Sequence, residues 1–165
     1  SEMRIVVLGI GNVLLSDEGL GVHVARRLDA RFALPDTVEV IDGGTAGMDL
    51  LDRVAGADAL VIVDCAALGE APGTVRELEG SAVPAFFQTR LSPHQIGLSD
   101  LLGAVMLFGQ MPQRLALVAV EPERMELDLA MTATGEGAAE CALARLVARL
   151  RAWGASPVPR ALAAG

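Results

Sequence analysis

The chain has 165 residues, of which 52% are hydrophobic, and carries a formal net charge of −8. This length and composition suit one domain with a full hydrophobic core, and the charge argues against nucleic acid or an anionic membrane surface as a partner. The apolar runs are shorter than the roughly 20 residues of a membrane span. Because the two cysteines give no disulfide framework and the first residues show no secretory pattern, we expect a cytoplasmic protein.

Short apolar runs, rich in β-branched residues, alternate with segments of helical periodicity. The runs predict strands over residues 4–8, 38–41, 59–64, 74–78 and 115–120. Helices are predicted from Leu20 to Phe32, where apolar residues share one face and His23 lies on the polar face, and around residues 48–54. Two further helices are predicted over 100–108, with Ser99 as N-cap, and over 137–153.

This order of elements predicts an α/β fold. We expect a three-layer α/β/α sandwich around a mostly parallel, twisted sheet of about five strands. Residues 3–154 form the predicted single domain, and residues 155–165, rich in Ala and Pro, are expected to be a disordered tail.

The segment after the first strand resembles a nucleotide-binding loop but lacks its chemistry. A Rossmann fingerprint needs a third glycine where Leu14 stands, and the adjacent carboxylates of Asp17 and Glu18 would repel a pyrophosphate. The long separation from Asp42 also weighs against a dinucleotide-binding module, which stays as a weaker alternative. The segment therefore suits a cation better than an anion.

Two carboxylates fall where strands end. Glu18 lies in the loop that leaves the first strand and Asp64 ends the third, and neighbouring strands of a doubly wound sheet open a crevice at their carboxyl ends. The predicted loop over residues 91–95 supplies His94 as a third polar group. Glu, Asp and His together suit a borderline divalent metal such as nickel or zinc, with coordination positions left open for substrate or water.

Several of these residues also have ordinary structural interpretations. Glu18 could be a first-turn carboxylate that complements a helix dipole, and Asp17 could be the N-cap of the first helix. The glycines at residues 43, 44 and 47 could serve a tight turn, but they would also let a substrate backbone approach closely. We therefore predict a substrate-binding segment made of Asp42, Gly43, Gly44 and Thr45.

Four motifs together closely resemble the nickel-iron hydrogenase maturation endopeptidases, over Met3 to about Trp153. They are Gly9-x-Gly11-Asn12 with Asp17-Glu18-Gly19-x-Gly21, Asp42-Gly43-Gly44-Thr45-x-Gly47, Ile62-Val63-Asp64, and Ser92-Pro93-His94-Gln95-x-Gly97. The resemblance implies an enzyme that removes a short C-terminal extension from the hydrogenase large-subunit precursor after nickel insertion. It also implies that Glu18, Asp64 and His94 bind the metal. The nickel would be supplied by the precursor and would act as the recognition handle, although other divalent metals can occupy such a site.

The chemistry of cleavage stays open at this stage. A bound metal could polarise the scissile carbonyl or lower the pKa of a water molecule. Alternatively, Asp17 or Asp64 could act as general base on the attacking water, and we count Glu18 with them as a candidate catalytic carboxylate. A non-catalytic nickel carrier or chaperone would use the same ligands and leave the precursor uncut.

Overall fold

The computed structural model describes residues 3–161, which form a layered α/β structure. Two 3₁₀ turns, Ser16–Gly19 and Met48–Leu50, precede the first two helices. In chain order the elements are β1 (Ile5–Ile10), α1 (Leu20–Arg31), β2 (Phe32–Ala33), β3 (Val38–Gly44), α2 (Leu51–Val54), β4 (Ala59–Cys65), β5 (Val75–Glu79), α3 (Ala82–Gln88), α4 (Pro93–Leu107), β6 (Arg114–Val120), α5 (Ala133–Ala152) and β7 (Val158–Pro159).

The main sheet has five strands in the order β3-β1-β4-β6-β5. The first four are parallel, and β5 runs antiparallel to β6 at one edge. Every residue of β1 and β4 is buried because helices cover both faces of the sheet. One hydrophobic core joins the sheet to α1 and α5, and the other joins it to α2, α3 and α4. The predicted three-layer, mostly parallel fold is therefore confirmed.

The start of α4 differs from the prediction. The helix begins at Pro93 after Ser92, whose backbone is extended, so Ser99 lies inside the helix and is not an N-cap. Proline suits the first helical turn because its φ is already close to the helical value. It also lacks a backbone N–H group, and an N–H in the first turn would have no partner within the helix. His94 consequently lies on a helix and not on a loop. Helix α3 was also not predicted.

The chain beyond α5 is not wholly a disordered tail. Val158 and Pro159 pair antiparallel with Phe32 and Ala33, which corrects the prediction for this part of the segment. Residues 162–165 lie outside the described residues. Within residues 3–161, no helix combines the length and apolar character that a membrane crossing requires.

Helix α1 packs unusually close to the ends of two strands. A Cβ atom on Gly21 would lie 2.1 Å from the carbonyl oxygen of Val63 and 2.3 Å from that of Ile10, so only glycine allows this approach. The 3₁₀ turn that carries Glu18 directly precedes this contact. The close packing therefore holds Glu18 near the carboxyl end of β4, where Asp64 lies.

Candidate active site

Glu18, Asp64 and His94 converge at the carboxyl edge of the sheet. The Nδ1 atom of His94 lies 3.2 Å from Oε1 of Glu18, and its Nε2 atom lies 3.2 Å from Oδ1 of Asp64. Asp64 is fully buried and His94 is 5% exposed, whereas the side chain of Glu18 keeps 15% of its surface open to solvent. The imidazole thus joins a buried carboxylate to one that water can reach.

A contact between two glycines sets the position of α4 beside the strands. A Cβ atom on Gly47 would lie 2.9 Å from the Cα atom of Gly97, so the loop after β3 and the first turns of α4 touch backbone to backbone. His94 lies about one helical turn before Gly97, in the first turn of α4, which faces Glu18 and Asp64. The glycines of the two motifs therefore help to place His94.

Gln95 and Ser92 were not predicted as site residues, yet both support the cluster. Gln95 is buried and donates from Nε2 to Oδ2 of Asp64 at 3.0 Å, while Ser92 donates from Oγ to Oε1 of Gln95 at 2.8 Å. The Ser-x-x-Gln spacing is typical of a helix start, and this pattern could have indicated that Ser92 and Gln95 lie beside His94. Because Gln95 occupies one oxygen of Asp64, the other oxygen is directed to His94.

Burial and charge shift the pKa values of the cluster. Burial raises the pKa of Glu18 above its usual range, the negative charge of Asp64 adds to this, and contact with His94 opposes it. Burial lowers the pKa of His94, but the hydrogen bond to Asp64 and the charges of both carboxylates outweigh it, and the net shift is upward. The cluster is thus built to retain a proton between the two carboxylates.

Asp17 is buried against the loop before α5, and its partners differ from those of Glu18 and Asp64. Its carboxylate accepts hydrogen bonds from the backbone N–H groups of Glu123, Arg124 and Thr132 and from the hydroxyl of Thr132, at 2.8 to 3.2 Å. Burial alone would raise its pKa, but these hydrogen bonds outweigh burial and lower it. The N-cap interpretation is wrong, since Gly19 occupies that position of α1 without a side-chain cap. Within the described chain, no hydrogen bond or ion pair joins Asp17 to Glu18, Asp64 or His94.

The segment of residues 42–45 reaches the site only at its end. Asp42 is exposed and pairs with Arg26 at 2.8 Å, and a Cβ atom on Gly43 would lie 2.7 Å from Ile10, so both have structural partners. Gly44 has a φ of +52°, which the turn out of β3 requires. Thr45 alone of the four lines a cleft at the cluster.

Two clefts meet at the cluster, and Glu18, Ser92 and His94 line both. One has a volume of about 340 Å³ and is largely apolar, with walls that include Ala66, Ala67, Leu91 and Met125. The other has a volume of about 420 Å³ and includes Asn12, Leu15, Thr45 and Pro93. A polypeptide that runs from one cleft to the other would therefore cross Glu18 and His94.

Cys65 borders the first cleft but is unsuited to act as a nucleophile. Burial, together with the nearby charges of Asp64, Asp17 and Glu18, raises the pKa of its thiol far above the usual range. The thiolate form that attacks a carbonyl is therefore strongly disfavoured.

The side chains of Glu18, Asp64 and His94 are of the types that bind a borderline divalent metal, but in this structure they contact one another. Among residues 3–161, no group of three or more His, Cys, Asp or Glu side chains is arranged around a common metal position. Both ring nitrogens of His94 face carboxylate oxygens, so these contacts must open before His94 can ligate a metal. Carboxylate oxygen and imidazole nitrogen are ligands that nickel and zinc accept.

Comparison with known proteins identifies the family. The family model described as hydrogenase maturation protease matches residues 22–149 of the chain. The chain belongs to the hydrogenase maturation protease family. The chain is 46% identical over 159 residues to the hydrogenase 2 maturation protease of Escherichia coli (strain K12), and the alignment covers 96% of this chain and 97% of that protein. It is also 39% identical over 153 residues to the hydrogenase expression/formation protein HupD of Rhodobacter capsulatus, covering 92% of this chain and 73% of that protein.

Solved structures agree with this assignment. The structure of the hydrogenase maturating endopeptidase HybD from E. coli matches with a TM-score of 0.93 at 46% identity, covering 96% of this chain and 98% of that one. A hydrogenase maturation protease HybD from Thermococcus kodakarensis shares the fold, with a TM-score of 0.74 at 21% identity over 90% of this chain and 99% of that one. The chain is therefore a peptidase with this α/β fold, as the order of its elements and its resemblance to the maturation endopeptidases predicted.

Proposed function

We propose that this protease removes the C-terminal extension of a nickel-iron hydrogenase large-subunit precursor after nickel has been inserted. The observation that carries the proposal is the position of His94 between Glu18 and Asp64, at the junction of two clefts. An extended peptide can lie across this junction with its scissile bond beside the cluster. The exposed free thiol of Cys141 supports a reducing compartment, and we propose the cytoplasm as its location.

We further propose that the nickel of the precursor is the recognition handle. Glu18, Asp64 and His94 offer oxygen and nitrogen ligands that can complete the coordination of a metal ion already held by the precursor. Such an ion supplies Lewis-acid chemistry toward a carbonyl or a water molecule. A requirement for substrate-bound nickel would restrict cleavage to precursor that already carries the metal.

The protein side of the chemistry divides between the two carboxylates. Asp64 is fully buried, so in the metal-free protein it orients the His94 ring, helped by the amide of Gln95. Glu18 is reached by solvent and its pKa is raised, which suits a group that accepts a proton from an attacking water molecule. We therefore assign the general base to Glu18. The four hydrogen bonds to Asp17 leave that carboxylate a structural role.

The deciding experiment mixes the purified protease with nickel-loaded and nickel-free precursor and follows the intact mass of the precursor. Loss of a C-terminal peptide from the loaded form alone is the expected result. Glu18→Gln, Asp64→Asn and His94→Ala should each suppress this loss while Asp36→Asn, at an exposed loop position, should not. Full processing by all three site variants, or equal cleavage of the nickel-free form, would refute the proposal. Tight nickel binding by the protease alone, without cleavage, would point to a nickel carrier.

A further inference from the structure

Residues 121–132, between β6 and α5, present apolar side chains to solvent beside the cluster. Leu127 is 82% exposed, Leu129 71% and Met125 50%, and Met125 also lines the apolar cleft. Leu14 is 50% exposed and lies next to this loop, since the N–H of Asp128 donates to the Leu14 carbonyl at 2.9 Å. Exposed apolar side chains that group together on a protein surface are typical of interaction sites.

The loop is held outward by the turn that carries Glu18. The buried carboxylate of Asp17 binds both ends of the loop, at Glu123, Arg124 and Thr132. Ser16 binds the middle, donating from its N–H to the carbonyl of Asp128 at 2.7 Å and from its hydroxyl to that of Ala130 at 2.9 Å. Ser16 has a φ of +52°, an unfavourable conformation for a residue other than glycine, which these contacts maintain. The leucines are therefore displayed by a fixed backbone and do not fold onto the core.

Charge adds information about the partner. Charged residues alternate with apolar residues from Arg124 to Leu129, and the one cation among them, Arg124, pairs with Asp128 at 3.5 Å. Glu123 and Glu126 leave the loop with a net negative charge, in a chain whose overall charge is −8. A complementary partner would surround an apolar patch with basic side chains.

We propose that Leu14, Met125, Leu127 and Leu129 form a docking surface for the folded body of the hydrogenase precursor. The surface is continuous with the apolar cleft through Met125, so a partner seated on it would deliver its chain end to Glu18 and His94. A folded partner is favoured over a peptide alone because the leucines lie beyond the cleft walls. This inference rests on the proposed function for the identity of the partner.

Matched pairs of variants test the docking surface. Leu127→Ser is compared with Leu107→Ser, since Leu107, at the end of α4, is 83% exposed, and Met125→Ser is compared with Met106→Ser, since Met106 is 53% exposed. Binding is measured with nickel-free precursor, and kcat and KM with nickel-loaded precursor. We expect both Leu127→Ser and Met125→Ser to weaken binding and raise KM about tenfold. For Leu127→Ser, which lies outside both clefts, kcat at saturation should stay unchanged. Thermal unfolding checks that all four variants keep the fold.

Each result separates docking from cleavage. Equal effects of the two members of a pair, or a loss of kcat without a loss of affinity in Leu127→Ser, would overturn the docking surface while leaving the proposed function intact. If wild type binds the precursor but does not cut it, the proposed function fails and the docking surface stands. Sedimentation supplies the last arm: self-association that Leu127→Ser abolishes and Leu107→Ser retains would assign the surface to a second copy of the chain and overturn the proposal.

Discussion

Gln95 donates a hydrogen bond of 3.0 Å to the Oδ2 atom of Asp64, and both side chains are buried. The same amide nitrogen lies 3.4 Å from the carbonyl oxygen of Cys65, so Gln95 fastens the end of β4 to the first turn of α4. A buried carboxylate without such a donor would lose its fixed orientation and carry an unsatisfied oxygen. The position of His94 against Asp64 therefore depends on Gln95, the residue that follows His94 in the sequence.

We expect Gln95→Ala to lower the free energy of unfolding by about 1–3 kcal/mol, because it leaves Oδ2 of Asp64 buried without its partner. Processing of the precursor should slow as well, since Asp64 can then rotate away from His94. Gln95→Glu keeps the shape but places a second carboxylate beside Asp64, so it should also slow processing. Urea unfolding and precursor mass measurements check these expectations. Gln110→Ala, at an exposed position, is the control, and an equal effect of Gln110→Ala would contradict the assigned role.

The two histidines should titrate in opposite directions from the ordinary value of 6.5. Burial and the positive charges of Arg26 and Arg27 lower the pKa of His23, which is half-buried although the sequence pattern places it on the polar face of α1. The carboxylates of Asp64 and Glu18 outweigh burial and raise the pKa of His94. NMR titration of the two Cε1–H signals in metal-free protein should give a lower midpoint for His23 than for His94. Midpoints in the reverse order would contradict the described cluster.

These shifts also predict how stability depends on pH. For His23 the unfolded chain binds the proton more readily, so the stabilising contribution is present above pH 6.5 and is lost as pH falls toward the folded-state pKa. For His94 the contribution is present below pH 6.5 and is lost as pH rises through the folded-state pKa. Urea unfolding between about pH 5 and 8 measures the free energy of unfolding of wild type and variants. That free energy should fall less on the acid side in His23→Gln than in wild type, and less on the alkaline side in His94→Gln than in wild type.

The strands β1, β4 and β6 were predictable because each is a short apolar run whose residues are almost all buried. Asp64 and Glu18 followed from the same logic, since carboxyl ends of neighbouring parallel strands share one edge of the sheet. The start of α4 was harder to predict from the sequence. Gly97 and Ser99 interrupt the helical pattern, and the prediction placed the helix start after them, whereas in the structure Gly97 packs against Gly47 and Pro93 begins the helix.

Other features depend on contacts between distant parts of the chain. Asp17 bonds to residues more than 100 positions away, and no local spacing indicates that a carboxylate next to Glu18 would instead hold the loop before α5. Asp42 likewise has a partner that no local spacing indicates, because Arg26 lies on α1. The substrate-binding role of Asp42 stays a prediction. A sequence pattern gives the residue types of a site, but which carboxylate faces solvent depends on the tertiary contacts.

Asp17→Asn should release the loop of residues 121–132. The substitution replaces one acceptor oxygen with an NH₂ group that faces N–H donors, so we expect a loss of about 2 kcal/mol or more in unfolding free energy. Amide hydrogen exchange should quicken at Glu123, Arg124 and Thr132, whose N–H groups lose their acceptor. Asp36→Asn serves as the control. Unchanged exchange at all three amides would show that Asp17 does not hold the loop.

Two glycines on helices should respond to alanine with opposite signs. Gly103, in α4, is exposed with nothing within 4 Å of its Cβ position, so Gly103→Ala should stabilise the protein by about 0.5–1 kcal/mol through higher helix propensity. Gly21→Ala would place a Cβ atom 2.1 Å from the Val63 carbonyl oxygen, which forces α1 away from the strands and should cost about 2 kcal/mol or more.

Because the turn that carries Glu18 leads directly into α1, Gly21→Ala should also slow precursor processing more than the loss of stability explains. The comparison is made well below the melting temperature of both variants, where each is fully folded, so that a slower rate reports a displaced Glu18. Gly103→Ala should process at the wild-type rate. If Gly21→Ala is as stable and as active as Gly103→Ala, then the close approach of α1 to β1 and β4 is not what holds Glu18 beside His94.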